Sequence, residues 1–266
     1  SRGRVPVGRV LSHTHGMKTI LCFGDSNTWA YIPGSDGGRA SLDDRWPSVL
    51  AATLNAPAGE ERAGEQRAYQ VIAEGLNGRT TVFDDPFSPG RSGIAALPML
   101  LDTHAPLDLV IIMLGTNDTK NFFGASAEQI ALGMERLAEA VAVSEAGPVN
   151  DSGTTEGPGA AGGHDVASGP AWPPARSVPR LLIVAPAPIG DLNDDMRPHF
   201  APQERATAVS RELAGVYRKL AEQLGAEFFD AAPVAEVGSD GVHLTVAGQR
   251  SLGVALAEQV RELMGG

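Results

Sequence analysis

The sequence predicts an α/β protein built on a parallel sheet, and three observations carry that expectation. Short β-rich apolar runs alternate with longer helical periodicities, no two runs stand at hairpin spacing, and residues 109–114 read LVIIML without polar alternation. A strand apolar on both faces belongs in the middle of a parallel sheet with helices above and below it. Parallel neighbours need crossover connections, which the helical stretches supply.

Taken in order, the strand candidates are residues 19–23, a weaker run at 69–73, then 107–114, 180–185 and 227–229. Between the third and fourth, "SAEQIALGMERLAEAV" opens with Ser126 and Gln129 at capping-box spacing. It then sets Ile130, Met134, Leu137 and Val141 on one face. The last helix is expected from Thr245, with Leu252, Leu256, Val260 and Leu263 at helical spacing. From about 144 to 179 the pattern lapses into Gly, Pro, Ser and Ala, which reads as a flexible surface insertion carrying His164. It is not read as a domain boundary, because "RLLIVAP" resumes the strand pattern at once. Residues 1–16, with His13 and His15, lack the sustained apolar segment of a secretory signal and read as a leader or tag-like extension. Residues 17–266 then form one domain.

Composition narrows the functional classes. A formal net charge of −11 with scattered arginines argues against a nucleic-acid or anionic-membrane surface. The single cysteine, Cys22, lies inside an apolar run, so it reads as core and leaves neither a disulfide nor a CxxC zinc site. A reducing, cytoplasmic setting fits. The longest apolar run is far short of the roughly 20 residues that a membrane-spanning helix needs.

In an open parallel sheet, ligands bind at the carboxyl ends of the strands. The expected loops there read "GDSNT", "EGLNGRTT" and "GTNDTK", the apolar "APAPIG" follows the fourth strand, and "SDGVHLT" precedes the last helix. Distant parts of the chain thus bring Ser26, Gly78, Asn117, Asp240 and His243 to one rim. A serine needs a base to act as a nucleophile near neutral pH, and histidine has the right intrinsic pKa. The histidine needs an acceptor behind it, and Asp240 stands three residues away. The backbone N–H groups of Ser26 and Gly78 and the Asn117 amide could hold a developing oxyanion. Singly, each has an ordinary explanation as a cap, a turn residue or a loop acceptor; together they form a coherent set. Asp25 and Asp118 read as loop-shaping acceptors. Two alternatives stay open: a non-catalytic flavodoxin-type small-ligand binding module, and a metal-dependent hydrolase using Asp25, Asp118, Asp240 and His243.

The blocks "FGDSNT", "GLNG", "GTND" and "DGVH" resemble, in order, the four motifs of the SGNH (GDSL-type) hydrolases. The flanking text "ILCFGDSNTW", "DRW", "APLDLVIIMLGTNDTK" and "LGVALAEQVR" is similar to the arylesterase/acyltransferase branch of that superfamily. The resemblance implies a flavodoxin-like three-layer α/β/α sandwich with five parallel strands. It implies a serine esterase acting on short-chain acyl esters, with acyl transfer to alcohols or perhydrolysis as further activities. Ser26 would be the nucleophile, His243 the base and Asp240 its orienting acid, with Ser26, Gly78 and Asn117 as the oxyanion hole. By analogy Trp29, Lys120 and Val242 would line the substrate pocket. The family implies no metal, no cofactor and a homo-oligomer. "PIGDLNDDMRPHF" is unusually acidic where relatives place apolar pocket walls.

Overall fold

The computed structural model describes residues 16–56, 68–148 and 177–265. Five strands run parallel: β1 (Lys18–Gly24), β2 (Tyr69–Gly75), β3 (Leu109–Met113), β4 (Arg180–Ala185) and β5 (Glu227–Asp230). Their order in the sheet is β2-β1-β3-β4-β5. Seven helices are described: α1 (Ser26–Trp29), α2 (Trp46–Leu54), α3 (Gly93–His104), α4 (Ala127–Ala142), α5 (Arg197–Phe200), α6 (Gln203–Leu224) and α7 (Val246–Met264).

Alternation along the strands divides the core in two, because successive side chains leave opposite faces. Leu21, Phe23, Val110, Ile112 and Ile183 pack with Leu97 and Leu101 of α3, Ile130 and Met134 of α4, and Leu213 and Tyr217 of α6. Ile20, Cys22, Leu109, Ile111 and Val184 pack on the other face with Trp46 and Leu50 of α2 and Leu252, Leu256 and Val260 of α7. The result is a helix–sheet–helix sandwich of flavodoxin-like order. Each fully buried large aliphatic side chain in it is worth roughly 1.5–3 kcal/mol. All five residues of β3 are buried, as a central strand covered on both faces requires.

The helix at 127–142 forms as its spacing predicts. The Ser126 hydroxyl accepts from the Gln129 N–H at 3.3 Å while the Ser126 N–H donates to Gln129 Oε1 at 2.9 Å. Such a cap contributes about 1 kcal/mol.

Two expectations shift. Residues 144–148 do not belong to the insertion: Ala146 is buried, its carbonyl accepts from the Leu107 N–H at 2.7 Å, and Gly147 and Pro148 pair with Ser177. The expected insertion and His164 otherwise fall at 149–176, outside the described residues, as do His13 and His15. The weaker second strand extends through Glu74 to Gly75, held in full register against β1.

The strand order places a switch point between β1 and β3, which leave the sheet towards opposite layers. Loops after these two strands carry Ser26 and Asn117. The crevice between them is where a ligand belongs.

Candidate active site

The turn after β1 is shaped by Asp25. Its carboxylate Oδ1 accepts from the Asn27 N–H at 2.9 Å, capping α1 so that Ser26 becomes the first helical residue. Gly24 is required by close approach: a Cβ there would sit 2.1 Å from Thr28 Oγ1 and 2.9 Å from the Met113 carbonyl. With only four residues, α1 has little macrodipole to offer a negative charge.

The loop before α7 brings in the imidazole. Asp240 Oδ1 accepts the backbone N–H groups of Val242 and His243, each at 2.9 Å, which folds the carboxylate back under the ring. Asp240 Oδ2 lies 2.7 Å from His243 Nδ1, and His243 Nε2 lies 2.9 Å from Ser26 Oγ. A carboxylate only accepts, so Nδ1 carries the proton and Nε2 is left to accept from the serine hydroxyl. Burial raises the Asp240 pKa, but the His243 ring, the two backbone donors and the His243 charge outweigh it and hold the group below its ordinary value. The acid thus stays ionised behind the ring. Ser26 and His243 are 5% and 7% exposed, dry enough to strengthen their bond while leaving an opening.

Candidate donors stand on the loops after β1, β2 and β3. The Ser26 and Gly78 N–H groups make no hydrogen bond among the described residues. Gly78 adopts φ +81, a left-handed conformation that glycine enters without penalty. Asn117 begins a 3-10 turn after β3, and its Nδ2 donates to the Arg79 carbonyl at 3.1 Å and to Asp25 Oδ2 at 3.5 Å. The second contact is at the limit of a hydrogen bond, so one amide hydrogen is held only weakly.

Buried charges brace this rim from beneath. Arg79 donates to the Gly24 carbonyl at 2.8 Å and to the Glu74 carbonyl, and its guanidinium stacks 4.2 Å from the Phe23 ring. Burial brings its pKa down to about 10. Asp118 turns away from the crevice to accept the N–H and hydroxyl of Thr81, tying the loop after β2 to the loop after β3. Burial pushes Asp25 and Asp118 each up to about 6, against their hydrogen bonds. Both are the loop-shaping acceptors that the sequence suggests. Among the described residues, no three His, Cys, Asp or Glu side chains are grouped to hold a metal ion, so the alternative set of Asp25, Asp118, Asp240 and His243 does not assemble as ligands.

The pocket candidates separate. Val242 is beside the base, but its side chain packs with Ile189, Leu192, Phe200 and Ala206. That cluster also resolves the acidic segment: Ile189, Leu192 and Phe200 face inward while Asp191, Asp194 and Asp195 are exposed. Lys120 follows Asn117 and is engaged by the buried Asp85 at 2.8 Å. Trp29 lies under the Arg39 guanidinium at 4.7 Å and faces Tyr31 at 6.3 Å. Tyr31, which sequence reasoning missed, lies 4.4 Å from the His243 ring, and its hydroxyl donates to the Ser35 carbonyl at 2.6 Å. The available signal was its place two residues beyond Trp29 on the same loop. Two surface cavities, of about 330 and 450 Å³, lie elsewhere and include neither Ser26 nor His243.

A serine hydroxyl bonded to a carboxylate-backed imidazole has the arrangement of serine acyl-transfer chemistry. The chain matches the model of the GDSL-like Lipase/Acylhydrolase family over residues 22–251, and it belongs to that family. A search of curated proteins gave no match. Among solved structures, the M. smegmatis aryl esterase is 40% identical, with 93% of this chain and 100% of that one covered and a TM-score of 0.75. A carbohydrate acetylesterase from Sinorhizobium meliloti is 35% identical, again over 93% and 100% of the two chains with a TM-score of 0.75. A lipolytic G-D-S-L protein from Veillonella parvula, 16% identical with a TM-score of 0.54 over 92% of this chain and 98% of that one, shares the fold. The protein is an esterase or acylhydrolase of the SGNH fold. Among the described residues no helix is long and apolar enough to cross a membrane.

Proposed function

We propose that the protein is a serine esterase that hydrolyses short-chain, acetyl-type carboxylic esters through an acyl-enzyme. The observation that carries this reading is the 2.9 Å contact between Ser26 Oγ and His243 Nε2, with Asp240 bonded behind the ring. The similarity to an aryl esterase and a carbohydrate acetylesterase supports small acyl groups.

His243 takes the Ser26 proton as Oγ attacks the ester carbonyl. The carbonyl oxygen becomes negative and moves towards the N–H groups of Ser26 and Gly78. Asn117 exchanges its long contact with Asp25 for the oxyanion and keeps its shorter one to Arg79. The imidazolium then protonates the departing alkoxide, leaving Ser26 acylated. Water, deprotonated by His243, attacks the acyl-enzyme and restores the serine. An alcohol in the same place yields a new ester, and hydrogen peroxide a peracid. Trp29, Tyr31 and Lys120 border the entrance in this reading, and residues 17–266 act as one unit.

The test is aryl-acetate turnover together with the intact mass after treatment with an organophosphonate. One adduct, mapped to Ser26, with turnover lost in Ser26→Ala is the expected result. Undiminished turnover by Ser26→Ala would overturn the assignment. Product analysis with an added alcohol separates hydrolysis from transfer.

A further inference from the structure

Asn27 adjoins the nucleophile in sequence, and its side chain reaches across the crevice to the segment that carries the base. Its Oδ1 accepts from the Leu244 N–H at 2.9 Å, and its Nδ2 donates to the Val242 carbonyl at 3.3 Å. Those two backbone groups flank His243. A single amide therefore grips the residue before the base and the residue after it, as a neighbouring strand would. The Asn27 carbonyl is held in turn by Gln249 Nε2 at 2.8 Å, and Gln249 Oε1 accepts from the Trp46 N–H at 3.0 Å. Asn27 and Gln249 are 4% and 1% exposed, so water cannot readily replace either partner.

We propose that Asn27 is a positioning residue that sets the distance between Ser26 and His243, with Gln249 fixing Asn27 from behind. The proposal rests on the esterase reading above. The physical need is plain: Ser26 and His243 are 217 residues apart, and the 2.9 Å contact between them is a single bond that must re-form in every cycle. The amide carries no charge through the cycle, so it holds the two segments whether the ring is neutral or protonated. Misplacement of reacting groups by about 1 Å costs on the order of a hundredfold in rate.

The experiment compares Asn27→Ala, Gln249→Leu and Asn55→Ala with the unaltered protein. Asn55 is the internal control: its side chain also clamps a backbone segment, bonding the N–H and C=O of Tyr69 at 3.0 and 2.9 Å, but at the opposite end of the sheet. Each variant is assayed well below its melting temperature and normalised to folded protein. Two readings are taken: kcat and KM for an aryl acetate, and the rate at which an organophosphonate modifies Ser26. Asn27→Ala is expected to lose about a hundredfold in kcat and in phosphonylation rate with KM nearly unchanged. Gln249→Leu should lose about tenfold by the same route, and Asn55→Ala should lose stability with no loss of rate. Wild-type rates per folded molecule in Asn27→Ala overturn the proposal. If Asn27→Ala does not fold, Gln249→Leu decides: a parallel fall in both rates supports positioning, and unchanged rates overturn it. Turnover surviving in Ser26→Ala would signal failure of the esterase reading itself.

Discussion

The two ends of the sheet are both lined with polar side chains, and they use them differently. At the amino ends of the strands, Lys18 and Arg180 donate to the Met264 and Leu263 carbonyls at the last turn of α7. Asp108 accepts from the Thr19 N–H at 2.7 Å, and Asn55 clamps Tyr69. These groups are half-exposed or exposed, and each closes off backbone that would otherwise face solvent. At the carboxyl ends most of the polar groups are buried and bridge loops far apart in sequence, and the N–H groups of buried Ser26 and half-buried Gly78 make no hydrogen bond among the described residues. Burying a donor without a partner, as at Ser26, costs stability, typically about 1–3 kcal/mol. The contrast teaches that polar density does not mark the site; a buried hydroxyl aligned on a carboxylate-backed imidazole does.

The largest effect expected from breaking that rim, after loss of the serine, is at Asp240. Asp240→Asn presents an amide where the ring N–H needs an acceptor and favours the wrong tautomer, so kcat should fall by about 10⁴. Next is Asn117→Ala, which removes one of the proposed oxyanion donors and should cost roughly 10²–10³ in kcat, or about 3–4 kcal/mol. Because the donor acts when charge develops, KM should barely move in either variant. Steady-state kinetics on an aryl acetate check both. A fall expressed mainly in KM would mean that these groups bind the ground state instead.

Much of this was legible before any coordinates. Strand-end loops rich in polar residues, read with the rule that ligands sit at carboxyl ends, suffice to gather Ser26, Gly78, Asn117, Asp240 and His243. The helix at 127–142 follows from spacing and its cap. What the sequence hides is through-space. Nothing local to "DSNT" says that Asn27 bonds Val242 and Leu244, or that Tyr31 covers His243. The acidity of the 188–200 segment misleads for a related reason, because composition counts the exposed aspartates and not the direction in which Ile189 and Phe200 point. Nor can the sequence show that α1 stops after four residues, too short for a macrodipole at Ser26 to matter.

Burial at the rim also predicts a pH signature. Asp25 and Asp118 are raised to about 6, chiefly by burial, from an unfolded value of about 3.9. A carboxyl that holds its proton more tightly when folded stabilises the fold most fully below its unfolded pKa, and that contribution is lost as pH rises through about 6. Asp240 and Asp85 act in the opposite sense. Burial raises each, but hydrogen bonds and nearby positive charge outweigh it, from His243 for Asp240 and from Lys120 for Asp85. Their contribution is present above about pH 4 and lost as pH falls through their lowered values. The fold should therefore gain on the order of 1–2 kcal/mol between pH 7 and pH 5, then lose stability below about pH 4. Thermal melts across that range check it, and Asp118→Asn should flatten the gain. A steady decline from pH 7 downward would show that the rim carboxylates are solvated.

The smallest effect sharpens the comparison from the other end. Arg180 is exposed and caps the carboxyl terminus of α7 through the Leu263 carbonyl. A cation in that position is worth about 0.3–1 kcal/mol, screened by salt. Arg180→Ala should lower the melting temperature slightly, less so at high ionic strength, and leave kcat and KM as they were. The reason is spatial: α7 begins just after the base, but its last turn lies at the opposite end of the sheet from it. Packing of Leu252, Leu256 and Val260 against the sheet fixes the helix whether or not its end is capped. A measurable drop in kcat would show that motion at the last turn reaches His243 along the helix, and the two ends of the molecule would then be one mechanical unit.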